Sequence, residues 1–206
     1  PGFKKSSAEI SDVASGGARV SAISRSSSQG SLIPTSNPLD LAIDGEGFFQ
    51  VSLEGGGTGF TRAGNFRTDS QGQLTTPAGD PLFPPVTIPA GTTGVSIDSG
   101  GQVTAIVGGS SVAVGQIELA NFNNPGGLIA QGGNVFSASS SSGSSVTGTP
   151  GSGTFGAVRN GVLESSNVDI TEEIVGQIIA KTSFKANLAV IRTSKDLIGT
   201  LLDIKS

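Results

Sequence analysis

Asp40, Asp44 and Glu46 form the densest acidic group in the chain. Two carboxylates facing a cleft could hydrolyse a glycosidic bond, one as acid and one as base or nucleophile. The neighbouring Gly45-Glu46-Gly47 begins like a dinucleotide-binding loop. A third possibility is metal binding, because two acidic segments echo each other. Asp69-Ser70-Gln71-Gly72-Gln73-Leu74-Thr75 matches Asp98-Ser99-Gly100-Gly101-Gln102-Val103-Thr104. Each reading lacks a necessary part. No aromatic sugar platform stands near the acids. The dinucleotide loop lacks its third glycine and its following helix. Each echo copy has one carboxylate where a calcium loop needs several oxygen ligands. All of these segments therefore read as turns, with Asp bonding its own backbone and Gly accepting positive φ.

The missing residue types narrow the chemistry further. There is no His, which removes the commonest general base and any Ser-His-Asp triad. There is no Cys, so disulfides and thiolate metal sites are excluded. Net charge is −4 with no basic cluster, so no phosphate footprint for nucleic acid is present. No catalytic, cofactor-binding or metal site is expected. No apolar run approaches the roughly 20 residues that span a bilayer, so no membrane insertion is expected. No signal peptide is visible. The chain opens at Pro1 rather than Met, as expected where an N-terminal piece has been removed or left out.

With 32 Gly and only 10 aromatic residues, all Phe, the composition favours short strands and many turns. Residues 1–38 read as an extended N-terminal linking segment, with strand-like alternation from Ala18 to Ser24. Residues 39–136 read as an antiparallel β domain. In it, Leu39 to Ile43 alternates, Asp44 to Gly47 turns, and Phe48 to Val51 continues, a hairpin signature. Residues 137–167 read as a Ser/Gly-rich loop followed by return strands, the part over 137–153 being too polar to order itself. The fold class is mainly β with a long C-terminal helix.

That helix is expected over 168–206. Asp169 can cap it, with Glu172 three residues on, and Lys205 suits its far end. At up to about 35 residues it would far exceed the usual length. One apolar stripe runs through Ile170, Ile174, Phe184, Leu188, Ile191, Ile198 and Leu202, interrupted by Gln177, Lys181 and Lys195. A second runs through Val190, Leu197, Leu201 and Ile204. Two stripes call for burial on more than one side. The expected subunit-packing residues are Ile174, Phe184, Leu188, Ile191, Leu197, Ile198, Leu201 and Leu202.

Five ordered motifs resemble the axial proteins of the bacterial flagellum. Pro1-Gly2-Phe3-Lys4 is similar to the segment after that family's N-terminal helix. The most specific stretch is Gln29 to Leu32 with Thr35 to Phe49. Phe60-Thr61-Arg62-Ala63-Gly64-Asn65-Phe66 is similar to the next signature, where Tyr usually replaces Phe60. Gly161 to Glu173 resembles the entry to the C-terminal helix, and Gly199 to Ile204 its end. Leu82 to Pro89 and Val114 to Phe122 look most like the distal rod type, whereas Gly126 to Phe136 is shared with hook types. A rod-type insertion usually found between Asp12 and Gly17 is missing, which is hook-like. The short length points back to the rod, since hook types usually carry an extra outer domain.

The resemblance implies a structural, non-enzymatic subunit in the flagellar basal body axis. It implies self-assembly into a torque-transmitting helical tube, with neighbouring rod and hook subunits as partners and export through the flagellar channel. It also implies an N-terminal helix, absent from this sequence, as partner to the C-terminal one. The alternatives are a hook subunit, or a secreted β-rich adhesin or fibre module, which would not need the long two-striped helix.

Overall fold

The computed structural model describes residues 2–4, 6–12, 18–25 and 28–203, with backbone alone at 6–12, 18–25 and 199–203. Ile204 and Lys205, assigned above to a stripe and to the helix end, lie outside the described residues. The chain forms two units, Pro1–Asn167 and Val168–Ser206.

The first unit is built of short antiparallel strands. β1 (Ser6–Asp12) and β2 (Ala18–Arg25) pair as a ribbon, which places a strand where the Ala18–Ser24 alternation predicts one. Next come β3 (Leu32–Pro34), β4 (Leu41–Asp44), β5 (Phe48–Ser52) and β6 (Thr58–Thr61). β7 (Arg67–Thr68), β8 (Leu74–Thr75) and β9 (Leu82–Phe83) follow. β10 (Thr92–Ile97), β11 (Gln102–Val107) and β12 (Ser110–Gln116) form a three-stranded sheet. β13 (Leu119–Asn121) leads to a 3-10 turn at Pro125–Gly127, beside which β2 runs. β14 (Ile129–Gly132), β15 (Val135–Ser137), β16 (Val146–Gly148), β17 (Ala157–Asn160) and β18 (Val162–Glu164) complete the unit. The central sheet runs β14-β15-β6-β5-β13-β16, with β9 also on β5.

Side-chain alternation on β5 divides the core. Phe49 and Val51 point into a large cluster with Leu41, Ile43, Phe66 and Leu119. Phe48 points the other way, into a smaller cluster with Phe60, Phe122, Leu128 and Phe136. The rings meet edge to face: Phe49 on Phe66 at 5.2 Å and Phe60 on Phe122 at 4.7 Å between centroids. Each fully buried side chain of this size contributes about 1.5–3 kcal/mol, so few Phe suffice for a thin core.

The two echoed segments fold alike. In each, Asp receives its backbone N–H bond from Gly three residues on, at 3.2 Å for Gly72 and 3.0 Å for Gly101. The carboxylates of Asp69 and Asp98 accept the amides of Gln73 and Gln102 at 2.9 and 2.8 Å. Both glycines have φ near +80° (80° and 82°), which L side chains rarely adopt. The likeness extends outward, since the carbonyls of Gly72 and Gly101 accept amides from Ile88 and Ile117, each at 2.8 Å. The acids thus hold their own turns.

Two expectations require correction. The Asp44–Gly47 turn exists, but β4 and β5 do not form a hairpin. β5 is already paired by β6 on one edge and by β13 and β9 on the other, so β4 pairs instead with β17 from the far end of the unit. The polar stretch 137–153 is also not wholly a loop. It supplies β16, which pairs with β13, and the buried Ser142, whose Oγ donates to the Ser139 carbonyl at 2.9 Å.

The last strand of the unit returns to its N-terminal part. β3 pairs with β18, Leu32 facing Glu164, and Gly2 donates its amide to the Glu164 carbonyl at 2.9 Å. The second unit is one helix, α1 (Ile170–Asp203).

Candidate assembly surfaces

The start of α1 follows its sequence closely. Asp169 accepts the Thr171 amide on Oδ1 at 2.7 Å, satisfying a donor that has no intrahelical partner. Glu172 and Glu173 occupy the first turn, where the helix dipole favours negative charge. At 1.5 Å per residue the helix is about 50 Å long.

Every expected packing residue lies on this element. Ile174, Phe184, Leu188, Ile191, Leu197 and Ile198 are exposed, Phe184 by 64%. Leu201 and Leu202 continue the helix in its last described turn. Ile191 and Ile198 come together with Val190 along a shallow apolar groove beside Ser194 and Lys195. Val175, Ile178 and Ile179, which belong to neither stripe, are exposed as well. The apolar surface is therefore wider than two stripes, as in helices buried on several sides. By length and composition alone, Ile170–Ile198 could also cross a membrane, which corrects the expectation that no apolar run approaches that length. Lys181 and Lys185 near its middle oppose that use, since each would cost about 2.5–3.5 kcal/mol at a bilayer centre.

A second feature lies where the first unit opens and closes. Glu164, 1% exposed, is buried between two cations. Lys4 donates from Nζ to Glu164 Oε1 and, at 2.8 Å, to the Ser28 carbonyl. Gly30 adds its amide to Oε1 at 2.9 Å. On the other side Arg62 Nη1 stands 3.6 Å from Oε2, too far for a hydrogen bond. Nε and Nη1 of Arg62 and Oε2 of Glu164 have no hydrogen-bond partner. The Arg62 guanidinium lies over the Phe48 ring at 5.3 Å. Burial, opposed by Glu164, lowers the pKa of both Lys4 and Arg62. Beside Arg62 opens a cavity of about 240 Å³ walled by Phe48, Phe122, Leu128 and Phe136.

Sequence reasoning placed Lys4, Arg62 and Glu164 inside three of the five motifs but gave them no role. The only available signal was that Arg62 and Glu164 are each a lone charge in an otherwise uncharged run, whereas Lys4 stands beside Lys5 and carries no such signal. Among the described residues no group of three or more potential metal ligands is gathered. Asp44 instead pairs with Arg159 at 2.6 Å, and Asp40 accepts from Asn37 at 2.9 Å.

The chain thus combines a β body whose last strand, β18, returns to β3 with a long helix rich in exposed apolar residues. The model of the flagellar hook protein FlgE/F/G D1 domain matches residues 42–105, and that of the flagellar basal body rod FlgEFG protein C-terminal region matches 159–204. The flagellar basal-body rod protein FlgG of Caulobacter vibrioides is 38% identical over 193 residues, covering 93% of this chain and 74% of the relative. FlgG of Bacillus subtilis is 38% identical over 177 residues, 83% of this chain and 67% of the relative. The flagellar hook protein FlgE of Escherichia coli is 45% identical over 92 residues, 45% of this chain and 23% of the relative. The chain belongs to the flagellar rod and hook protein family, and it is a structural subunit of the basal-body axis.

Proposed function

We propose that this chain is a distal-rod subunit that assembles in many copies into a tubular shaft transmitting torque, and that it performs no catalysis. The observation that carries the rod reading is its likeness to rod proteins along nearly its whole length, 93% of the chain against 45% for the hook protein. The helix packs the subunit into the tube through Ile174, Phe184, Leu188, Ile191, Leu197, Ile198, Leu201 and Leu202. Exposing such side chains forfeits about 1.5–3 kcal/mol each relative to burial, and an isolated helix in water is only marginally stable. Covering them on neighbouring subunits supplies the driving force for assembly.

The test is a clean in-frame deletion. It abolishes motility and stops the axis at the position this subunit occupies; normal swimming would overturn the assignment. A hook subunit is the second reading, favoured by the 45% identity over 92 residues and by the short connection between Asp12 and Gly17. Electron microscopy of basal bodies carrying the labelled subunit separates the two, because label in the rod supports the first and label in the hook the second.

A further inference from the structure

The return of β18 to the N-terminal part builds a small platform. On one edge β18 carries β3, where the Ser165 amide donates to the Ser31 carbonyl at 2.8 Å. Glu164, one residue earlier, therefore turns its backbone to the other edge, and there its carbonyl accepts the Gly2 amide. Three extended segments thus lie side by side: residues 2–4, β18 and β3. Alternation divides their residues between two faces. One face is sealed, because Lys4 and Glu164 meet on it and are buried. The other carries Phe3, Leu163 and Ile33, one from each segment, with Ile33 directly opposite Leu163. Leu163 is half-buried, whereas Phe3 and Ile33 are 51% and 52% exposed.

The chemistry of this row selects its partner. A further strand is disfavoured at the outer edge of β3, since Pro34 stands where an amide would have to donate. No charge occurs in residues 28–36 or 161–163, so the surroundings offer a charged partner no counter-ion. At a strand spacing of about 4.8 Å the row is roughly 10 Å wide, which is about the width of one α-helix.

α1 supplies a matching surface. Val175, Ile179, Thr182, Ala186, Ala189 and Thr193 follow steps of four and three, so they form one seam. All six are exposed and none is charged. Lys181, Lys185, Arg192 and Lys195 centre about a third of a turn away around the helix. The small Thr and Ala residues at the middle of the seam leave room for the Phe3 ring.

We propose that the Phe3–Leu163–Ile33 row of one copy seats this seam of α1 from the next copy. The proposal rests on the reading of the chain as a self-assembling axial subunit. Row and seam are different surfaces, so the contact is heterologous. It repeats from copy to copy and either closes into a ring or runs on as an open helix.

The chain has no Cys, so introduced thiols report without background. Ile33→Cys is combined with Ile179→Cys in the full chain, and basal bodies containing it are oxidised. The double variant gives a ladder of dimers and higher multimers, and neither single variant does. Ser31→Cys, on the same face as Ile33, gives the same ladder with Thr182→Cys and leaves every apolar residue in place. Ile33→Asp lowers incorporation into basal bodies severalfold without shifting the melting temperature of the purified chain. Basal bodies that contain the double variants but show no ladder would overturn the contact while leaving the axial assignment standing. A disulfide within one copy, crosslinks in a single variant, crosslinks to a different protein, or wild-type incorporation of Ile33→Asp would do the same. Absence of the wild-type subunit from basal bodies would overturn both readings.

Discussion

The carbonyl oxygen of Leu41 lies 1.8 Å from the point that a side-chain carbon would occupy at Gly64. Leu41 in turn donates its amide to the Gly64 carbonyl at 2.9 Å. Two motifs more than twenty residues apart are thus locked backbone to backbone, and only glycine permits the approach. Gly64→Ala must push β4 away from the loop and is expected to cost about 3 kcal/mol or more, in the range of severe core damage. Gly57→Ala, in open space, should stay within about 0.5 kcal/mol. Denaturant unfolding followed by circular dichroism compares the two.

The buried charge cluster predicts an unequal response to losing its members. Glu164→Gln removes the anion buried between Lys4 and Arg62 and leaves only the exposed Glu46 acting on Arg62, a loss of about 3–5 kcal/mol. Lys4→Met leaves Arg62 as a cation for Glu164, so its cost stays under about 2 kcal/mol. Thermal unfolding of both variants tests the order; equal costs would show that Arg62 does not compensate Glu164.

The cluster also sets a pH dependence. Burial lowers the Lys4 pKa below its ordinary 10.5, although the Glu164 contact acts against it. Between the lowered value and 10.5 the unfolded chain holds more protons at this site than the folded one. Stability contributed by Lys4 therefore rises with pH across that window, and the penalty for keeping it charged is fully present below it. Denaturation midpoints measured across the alkaline range should rise more for the wild type than for Lys4→Met.

The echoed turns offer a matched pair of substitutions. Asp69 accepts two amides, from Gln71 and Gln73, whereas Asp98 accepts that of Gln102. Hydrogen bonds to charged groups contribute roughly 1.5–3 kcal/mol when buried and less in exposed turns. Asp69→Ala should cost about 1–2 kcal/mol and Asp98→Ala about half of that. Calorimetric melting of the two variants gives the ratio.

On α1, Leu188→Asp combined with Ile191→Asp should reduce self-association while the β unit keeps its circular dichroism. Sedimentation velocity reads the association. Unchanged self-association would remove these two residues from the packing surface.

What was legible in the sequence follows from the range of the forces involved. The Asp69 and Asp98 turns could be read because Asp capping and glycine φ act within five residues. The α1 stripes could be read because 3.6-residue periodicity is local. The Asp44–Gly47 turn was legible, but its consequence was not, because turn chemistry does not say which edge a strand will find. The β4–β17 pairing joins Asp44 to Ala157, and nothing near either residue encodes the other. The same holds for the charge cluster, whose Lys4 and Glu164 are 160 positions apart. The cavity beside Arg62 arises from where the second Phe cluster stops, a matter of packing rather than pattern.

The meeting of β3 with β18 has a mechanical consequence for a structural subunit. Leu32 opens β3 and Glu164 closes β18, the last strand of the unit, and the two face each other in an antiparallel pair. A force that drew those two ends apart would peel the pair open one hydrogen bond after another, the weakest direction in which a ladder can be pulled. Glu164 stands at the point where such peeling would begin. There it receives the Gly2 amide on its carbonyl, and the Lys4 ammonium and Gly30 amide on its carboxylate. The buried acid acts as a rivet at the tip of the seam, so that strain applied at the ends must break several bonds at once before the first strand can lift.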